Sequence, residues 1–279
     1  MGRRQILDEI RRLDPVVDHQ RIAFLTSLHE FPWDTTRSLE LALFRAFAVA
    51  KGTPLLAGTG EFTQRTQKRY DDTVLILAEI LENGYDSERG RAALRRMNQM
   101  HGRYPIPNDE FLYVLSTFVF EPIRWNERFG WRPLDPNEKL ASFHFWREIA
   151  RRMAIHDVPD DYEGLERYYV EFARRNYRFA PENLALATAT RDLFLGWYLP
   201  KVLWPLGRPF IHAMMDDQLL LAVGLPRPHP VIRRLTEGAV RLRSRIVRRL
   251  PPRRSPRLIT KQRHPTYPAG YTIEELGVH

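Results

Sequence analysis

Cysteine is absent from the chain of 279 residues. Disulfides, thiolate-bound metals, iron–sulfur clusters and a cysteine nucleophile are therefore excluded, and the composition fits a reducing compartment. Any metal or cofactor has to be held by histidine, by carboxylates or by the backbone. With 43% hydrophobic residues, a chain of this length can bury a core of its own, as one large domain or two small ones.

Long apolar runs are missing as well. The most apolar stretch, LFLGWYLPKVLWPLGRPFIHAMM, is interrupted by three prolines, Lys201 and Arg208, whereas a membrane-spanning helix needs about 20 predominantly apolar residues in succession. No secretory signal is expected, because the first residues, MGRRQILDEIRRLDP, become charged again before an apolar run forms. Ile6 stands where the myristoylation pattern requires Ser or Thr. We therefore expect a cytoplasmic protein that contacts membranes peripherally at most.

Acidic residues are scarce near the C-terminus. Residues 231–263 contain twelve Lys or Arg and a single acid, Glu237, which gives this segment a net charge of +11. The whole chain carries +9, so the remainder carries 9 − 11 = −2. The basic character is therefore a local property of this segment. Five apolar residues with helical spacing run through it: Ile232, Leu235, Ala239, Leu242 and Ile246.

Two interpretations of this basic helix stay open. In the first, the apolar stripe packs on the core and the arginines lie in solvent. In the second, the arginines are attracted to anionic lipid headgroups, which contributes about 1 kcal/mol per basic residue near a membrane surface. Nucleic acid is the disfavoured partner, because no recognised nucleic-acid motif accompanies the charge and the rest of the chain is slightly acidic.

Strand-like alternation is also absent, and helical periodicity dominates. One helix ends at Asn83 and Gly84, and the next begins at Asp86 or Ser87 and stops at Gly102.

Two later helices also carry N-terminal signals. Asn108 is the expected cap of the first, and Asp135, Pro136 and Glu138 form the capping-box pattern of the second. Further helices are expected in residues 160–178, 182–198, 208–224 and 230–249.

These signals predict an all-α fold, with a single helical domain over residues 1–250 and an irregular, basic C-terminal tail over residues 251–279. No HExxH, GxSxG, Walker or GxGxxG pattern occurs, and the paired Glu-x-x-His motifs of a diiron bundle are absent. The aromatic surroundings of His144 favour a core position. His212 lies near apolar residues and stays open as a second ligand, although no motif supports it.

One histidine ends a helix in an unusual setting. Leu94, Met97 and His101 lie at positions i, i+3 and i+7, so the imidazole shares the apolar face of the helix. A buried imidazole costs free energy unless its nitrogens find partners. Two ordinary hydrogen bonds would satisfy it, and so would a metal on one nitrogen and a carbonyl on the other. On composition alone the hydrogen-bonded core histidine is favoured.

The preceding helix contains a polar group of the right kind to face such a ligand. Arg69 and Thr73 are four residues apart and therefore lie on the same side of a helix, with Asp72 beside them. A capping cluster at residues 71–73 explains the same residues equally well. Spacing alone does not separate the two interpretations.

Three stretches stand out together: KRYDDT, GYDSERGRAALRRMNQMHGRYPIPNDEFLYVLSTFVFEPIRW and LASFHFWREIARRM. They resemble the MpaB-type oxygenases, which are related to the rubber oxygenase known as latex clearing protein. The resemblance covers residues 65–153 and continues more loosely through DDQLLLAVGLPRP and PAGYTIEELG. It implies a helical domain with a globin-like core that holds one haem b.

The resemblance also assigns residues to the two sides of the haem. His101 matches the proximal ligand of the haem iron, and Arg69 and Thr73 match a distal arginine and threonine. Arg69 would donate a hydrogen bond to the reacting oxygen, and Thr73 would orient oxygen or a water. Asp72 would accept a proton or fix Arg69 by an ion pair. Arg103, just past the histidine, would reach the haem propionates.

The implied activity is that of a haem b-dependent oxygenase acting with dioxygen on an apolar, prenyl or lipid-like substrate. Two departures separate this chain from the rubber-cleaving members, which have a lysine in place of Asp72 and an arginine in place of Asn98. The biosynthetic branch, associated with oxidative cleavage of a carbon–carbon double bond in a prenyl chain, is therefore the closer likeness. The alternative is a non-enzymatic basic helical module that binds an anionic membrane surface or nucleic acid.

Overall fold

Helices joined by short turns make up most of the described chain, which is residues 5–278 of the computed structural model. No β-strand occurs in this range, so the predicted all-α class is confirmed. In chain order the α-helices are α1 (Gln5–Arg12), α2 (His19–Phe24), α3 (Pro32–Ala46), α4 (Thr53–Gly58), α5 (Glu61–Gln64), α6 (Thr66–Asn83), α7 (Glu88–His101), α8 (Asn108–Phe129), α9 (Pro136–Arg152), α10 (Tyr162–Asn176), α11 (Pro181–Gly196), α12 (Trp204–His212), α13 (Asp217–Ala222) and α14 (Pro230–Arg249). A π-helical turn, Leu25–Glu30, follows α2.

Helix α8 lies at the centre of the main core because most of its faces are apolar. It packs against α3, α9 and α10, and Tyr113 and Phe120 on it are fully buried. Pro107 occupies the cap position, so the predicted cap at Asn108 is wrong. The Asn108 amide instead exchanges two hydrogen bonds with the backbone of His156, 48 residues further on.

Local capping chemistry sets the other helix ends near the candidate residues as predicted. Ser87 accepts a hydrogen bond from the Gly90 N–H at 2.9 Å and starts α7. Asp135 and Glu138 form the capping box of α9. Gly84, with a φ of +79°, ends α6 in a conformation that glycine adopts without strain. These signals act within a few residues, and the sequence therefore displays them directly.

Two predicted boundaries are wrong. Helix α6 begins at Thr66, so residues 71–73 lie inside it and the capping-cluster interpretation fails. The predicted helix over 208–224 is divided between α12 and α13, because Asp216 caps a new helix by accepting a hydrogen bond from the Leu219 N–H at 2.9 Å.

The chain after α14 contains no α-helix up to residue 278, and it folds back along α6. Its side chains donate hydrogen bonds to four carboxylates of that helix: Thr266 to Asp71, Tyr267 to Asp72, Tyr271 to Glu79 and Thr260 to Glu82. Leu276 is fully buried in the apolar cluster between α6 and α7. The tail is therefore fastened to the helices that carry the candidate residues.

Helix α14 turns its polar side toward the rest of the protein. Ser244, its one buried residue, donates a hydrogen bond to the Phe129 carbonyl, and Arg243 forms an ion pair with α3. Four of the five residues of the predicted apolar stripe face outward, with Leu235 62% and Leu242 55% exposed, and Ile232 is half-buried. The interpretation in which this stripe packs on the core is therefore wrong. Between residues 5 and 278, no helix has the length and apolar character needed to cross a membrane.

The contact between α6 and α7 depends on a glycine. A Cβ atom on Gly90 would lie 1.9 Å from the carbonyl oxygen of Gly84, and backbone cannot yield as a flexible side chain does. We expect Gly90→Ala to lower the free energy of unfolding by about 1–3 kcal/mol through overpacking. Gly238→Ala in α14, where nothing lies within 4 Å, should raise it by up to about 1 kcal/mol through helix propensity. Chemical denaturation followed by circular dichroism compares the two, and equal effects would contradict the close contact.

Candidate active site

Helices α6 and α7 bring the predicted site residues together. Four residues join the two helices, so they run antiparallel and pack side by side. The N-terminal half of α6, with Arg69 and Thr73, therefore lies beside the C-terminal end of α7, with His101. Arg69 Nη1 donates a hydrogen bond to Thr73 Oγ1, and this hydroxyl donates to the Arg69 carbonyl at 2.9 Å. The spacing argument for this pair is thus matched by a direct contact.

The His101 imidazole is neutral at physiological pH. Burial, together with the positive charge of Arg69, lowers the pKa of His101 to about 4. Its Nδ1 atom is sealed from solvent and has no hydrogen-bond partner among the described residues. Phe111 packs against it edge to face, with ring centroids 5.1 Å apart. A sealed ring nitrogen without a partner costs free energy, and a native structure normally supplies one.

The Arg69 guanidinium lies over the Phe62 ring, 4.7 Å from its centroid. Burial lowers the pKa of Arg69, while the nearby charge of Asp72 opposes the shift, and a guanidinium remains protonated at neutral pH. Arg69 is therefore a fixed cationic donor in apolar surroundings, where its field acts strongly on a neighbouring group. The same field contributes to keeping His101 uncharged.

Asp72 is fastened to other partners. Its buried carboxylate accepts hydrogen bonds from Lys68 Nζ at 2.9 and 3.1 Å and from the Tyr267 hydroxyl at 2.5 Å. Lys68 Nζ also donates to the Gly277 carbonyl at 3.1 Å. The direct ion pair of Asp72 is thus with Lys68 and not with Arg69. Proton transfer by Asp72 stays a prediction.

The remaining predicted positions lie at the edge of this group. Arg103 is exposed, and its Nη1 donates to the Val278 carbonyl at 3.1 Å, so a contact with haem propionates stays a prediction. Asn98 donates to the Arg152 carbonyl at 2.8 Å and fastens α7 to the end of α9. Asn98 thus satisfies the carbonyl of the last residue of α9. It has a structural role at this position, where the rubber-cleaving members have arginine.

Two aromatic rings and the tail complete the surroundings, and sequence reasoning does not find them. Phe62 and Phe111 lie on α5 and α8, and their apolar character is shared with many core residues. Tyr267 reaches Asp72 across 195 residues of chain. No periodicity relates such distant positions, so only the weak match of PAGYTIEELG to the family pointed to this part of the tail.

Asp71, beside Asp72, holds a second contact of the tail. It accepts hydrogen bonds from the Thr266 N–H at 3.0 Å and hydroxyl at 2.6 Å, and His264 Nδ1 lies 3.9 Å away. Burial raises the pKa of Asp71, but hydrogen bonds from His264, Thr266 and Gln67 lower it by more than burial raises it. The pKa of Asp71 therefore lies below its ordinary value. Asp71 in turn raises the pKa of His264.

The other buried histidines have separate surroundings. His19 contacts the Val16 carbonyl and the Tyr85 hydroxyl, and His144 stacks loosely beside it with ring centroids 6.3 Å apart. His212 Nδ1 lies 3.1 Å from the Pro226 carbonyl, while its Nε2 is sealed without a partner. Nothing among these contacts joins His212 to the Arg69, Thr73 and His101 group.

Two cavities belong to other parts of the protein. One of about 280 Å³ is lined by residues that include Arg45 and Glu121, and one of about 380 Å³ lies between Arg95 and Ile273. Neither is lined by Arg69, Thr73 or His101. The candidate site is therefore defined by its side chains and not by one of these cavities.

Comparison with known proteins gives matches over most of the chain. The family described as ER-bound oxygenase mpaB/B'/Rubber oxygenase, catalytic domain, matches residues 33–249. ER-bound oxygenase mpaB' of Penicillium brevicompactum is 29% identical over 243 residues, which are 81% of this chain and 57% of that protein. ER-bound oxygenase mpaB of Penicillium roqueforti (strain FM164) is 28% identical over 216 residues, 71% of this chain and 72% of that protein. The chain thus spans little more than half the length of the first relative.

The fold is also similar to a solved structure. Latex clearing protein in its closed state aligns with a TM-score of 0.55 and 13% sequence identity, covering 90% of this chain and 73% of that chain. At this identity the match shows a shared all-α fold.

The contact between His264 and Asp71 predicts how stability depends on pH. Because the pKa of His264 is raised above 6.5 in the folded protein, its contribution is present below that pH and is lost as the pH rises through the raised value. We expect His264→Gln to be destabilised relative to the wild type by up to about 1 kcal/mol more at pH 6 than at pH 9. Urea unfolding at both pH values measures this, with the exposed His156→Gln as control. A pH-independent difference would rule the ion pair out.

Proposed function

We propose that this chain, which belongs to the family of ER-bound oxygenases mpaB/B' and rubber oxygenases, is an oxygenase that uses haem b and dioxygen to oxidise an apolar substrate. Cleavage of a carbon–carbon double bond in a prenyl or lipid-like chain is the proposed reaction. One observation carries the proposal: a neutral histidine with a sealed, unpartnered nitrogen lies beside a fixed arginine–threonine pair. Family membership argues against the alternative of a non-enzymatic module.

The donor set fits a haem better than a bare metal ion. Within residues 5–278 no group of three or more His, Asp or Glu side chains is placed to hold a metal, whereas a haem brings four nitrogens of its own and needs one axial imidazole. His101 supplies such an imidazole in the neutral form that ligation requires. We therefore propose that His101 holds the haem iron. When bound, the haem would supply the activation of dioxygen, which no side chain performs unaided.

Arg69 and Thr73 are proposed to act on the oxygen side of the reaction. Arg69 carries a fixed positive charge in apolar surroundings and would stabilise negative charge that develops on oxygen. Thr73 accepts from the guanidinium and donates to the Arg69 carbonyl, so it holds the direction of the arginine. The pair is thus preorganised before any ligand binds.

Asp72 is proposed to position α6 without entering the chemistry. Its charge is compensated by Lys68, and its oxygens accept hydrogen bonds from the lysine and from Tyr267, so the carboxylate is already engaged by the helix and by the tail. Phe62 and Phe111, which flank Arg69 and His101, support an apolar substrate. A substrate of that kind matches the proposed prenyl or lipid-like class.

Haem binding tests the assignment of His101. Purified protein reconstituted with haem should show a Soret band, and His101→Ala should bind haem more than about tenfold more weakly. Loss of a residue that only hydrogen-bonds to a metal ligand already lowers metal affinity by about tenfold or more, and loss of the ligand itself should cost at least as much. Titration with haem, followed by absorption and quantified as the pyridine haemochrome, gives the affinity. His156→Ala, at an exposed position, should bind as the wild type does. Unchanged affinity of His101→Ala would remove the basis of the proposal.

Arg69 should affect turnover more than haem binding. Arg69→Gln removes the charged donor, and loss of one such donor lowers kcat by about 10²–10³-fold in other enzymes. Oxygen consumption with a prenylated apolar substrate measures turnover, and the Soret band of the same sample confirms that haem is retained. Arg95→Gln, an exposed arginine on α7, is the matched control. If Arg69→Gln and Arg95→Gln turn over at similar rates, the proposed role of Arg69 is wrong.

A further inference from the structure

Helix α14 turns most of its large apolar side chains away from the core, unlike an ordinary amphipathic surface helix. Its inward side combines polar anchors with the half-buried Val240 and Val247: Arg243 Nη1 lies 3.1 Å from an Asp34 oxygen, and its guanidinium stacks 3.6 Å from the centre of the Trp33 ring. Ser244, on the same side, donates to the Phe129 carbonyl. An amphipathic helix at the surface normally turns its apolar stripe to the core. Here hydrogen bonds and ion pairs hold the helix in place.

The outward side of α14 is apolar. Each of the following side chains is between 50% and 62% exposed: Val231, Leu235, Leu242, Ile246 and Leu250. At 3.6 residues per turn they fall within an arc of about 100°, so they form one continuous stripe along the helix. Single exposed apolar residues are common, but a continuous apolar stripe marks a surface that binds another protein or a membrane.

Helix α12 and the turn before it extend this apolar surface. Val202 is 80% exposed, Leu206 is 70% exposed and Phe210 is 47% exposed, and they recur every four residues. Helix α12 packs against α14, so the two apolar stripes belong to neighbouring elements. We call the combined surface, made of Val202, Leu206, Phe210 and the stripe of α14, the α12–α14 face.

Arginines border the α12–α14 face. Arg234, Arg245 and Arg249 are exposed, and within residues 5–278 none of them forms an ion pair with an acidic side chain. On the helical wheel Arg234 and Arg245 lie along one edge of the stripe and Arg249 at its end. An apolar stripe edged by uncompensated cations has the composition of a helix that lies in the interface of an anionic bilayer. The headgroups take the charge and the acyl boundary takes the apolar side chains.

We propose that the α12–α14 face binds the surface of a membrane that contains anionic lipids. A second copy of the chain fits less well, because a two-fold interface would set the same uncompensated arginines against each other. Nucleic acid would use the arginines but would leave the apolar stripe in water. A bilayer interface uses both features at once. This inference goes beyond the proposed oxygenase function and does not depend on haem.

Vesicle binding tests the proposal with the full chain. Wild-type protein should co-sediment with vesicles of phosphatidylcholine and phosphatidylserine, and binding should weaken as salt is raised. Leu235→Ser/Leu242→Ser/Ile246→Ser should lower the partition coefficient by more than about tenfold. Arg234→Gln/Arg245→Gln/Arg249→Gln should lower it by about fivefold for each arginine. All six positions are exposed, so these changes leave the core intact, which circular dichroism of each variant checks.

Matched controls distinguish binding through the α12–α14 face from nonspecific hydrophobic adsorption and from the effect of net charge. Val16→Ser/Val17→Ser/Val170→Ser removes the same number of exposed apolar side chains elsewhere, and Arg12→Gln/Arg95→Gln/Arg174→Gln removes the same charge. Both should bind vesicles as the wild type does. The proposal is overturned if the stripe variant binds as tightly as the wild type, or if neutral and anionic vesicles bind equally. A third outcome also overturns it: the wild type does not bind vesicles, and sedimentation without vesicles shows a dimer. In that case the stripe variant should be monomeric.

Discussion

The close packing of α6 against α7 is the constraint on which the candidate site depends. Gly84 turns the chain with a positive φ, and Gly90 allows α7 to approach the carbonyl of that turn. This fixes the register of the two helices, so that Arg69 and Thr73 face the end of α7 where His101 lies. A slip by one helical turn would move the residues apart by about 5.4 Å and would weaken the effect of Arg69 on the pKa of His101.

The C-terminal tail completes this constraint from the other side of α6. Four acids of the helix, Asp71, Asp72, Glu79 and Glu82, accept hydrogen bonds from side chains of the tail. Asp71, Asp72 and Glu79 are buried, and because buried carboxylates need donors, the tail supplies part of the hydrogen bonding that the burial of these acids requires. Asp71 and Asp72 bind residues of the tail that lie 195 positions away in sequence. From the sequence alone, the same two acids resemble the start of a helix.

Features that depend on contacts within a few residues can be predicted from the sequence, whereas features that depend on tertiary contacts cannot. The capping box of Asp135 and Glu138 is local, and its prediction is confirmed. The Arg69–Thr73 contact is also local, since both residues lie on one helix turn. In contrast, the partner of Asn108 and the side of α14 that faces the protein depend on tertiary contacts. Amphipathicity identifies the stripe of α14 but does not state which side is buried.

The candidate site and the α12–α14 face each leave a physical requirement unmet that a bound molecule would satisfy, and the two requirements are of opposite chemistry. At His101 a polar atom is sealed from water without a partner, a deficit that a Lewis acid removes. At the α12–α14 face apolar side chains remain in water beside uncompensated arginines, a deficit that an anionic lipid surface removes. The two remedies are consistent with each other, because a prenyl or lipid-like substrate is most concentrated in a membrane. An oxygenase held at that surface would therefore meet its substrate where the substrate resides.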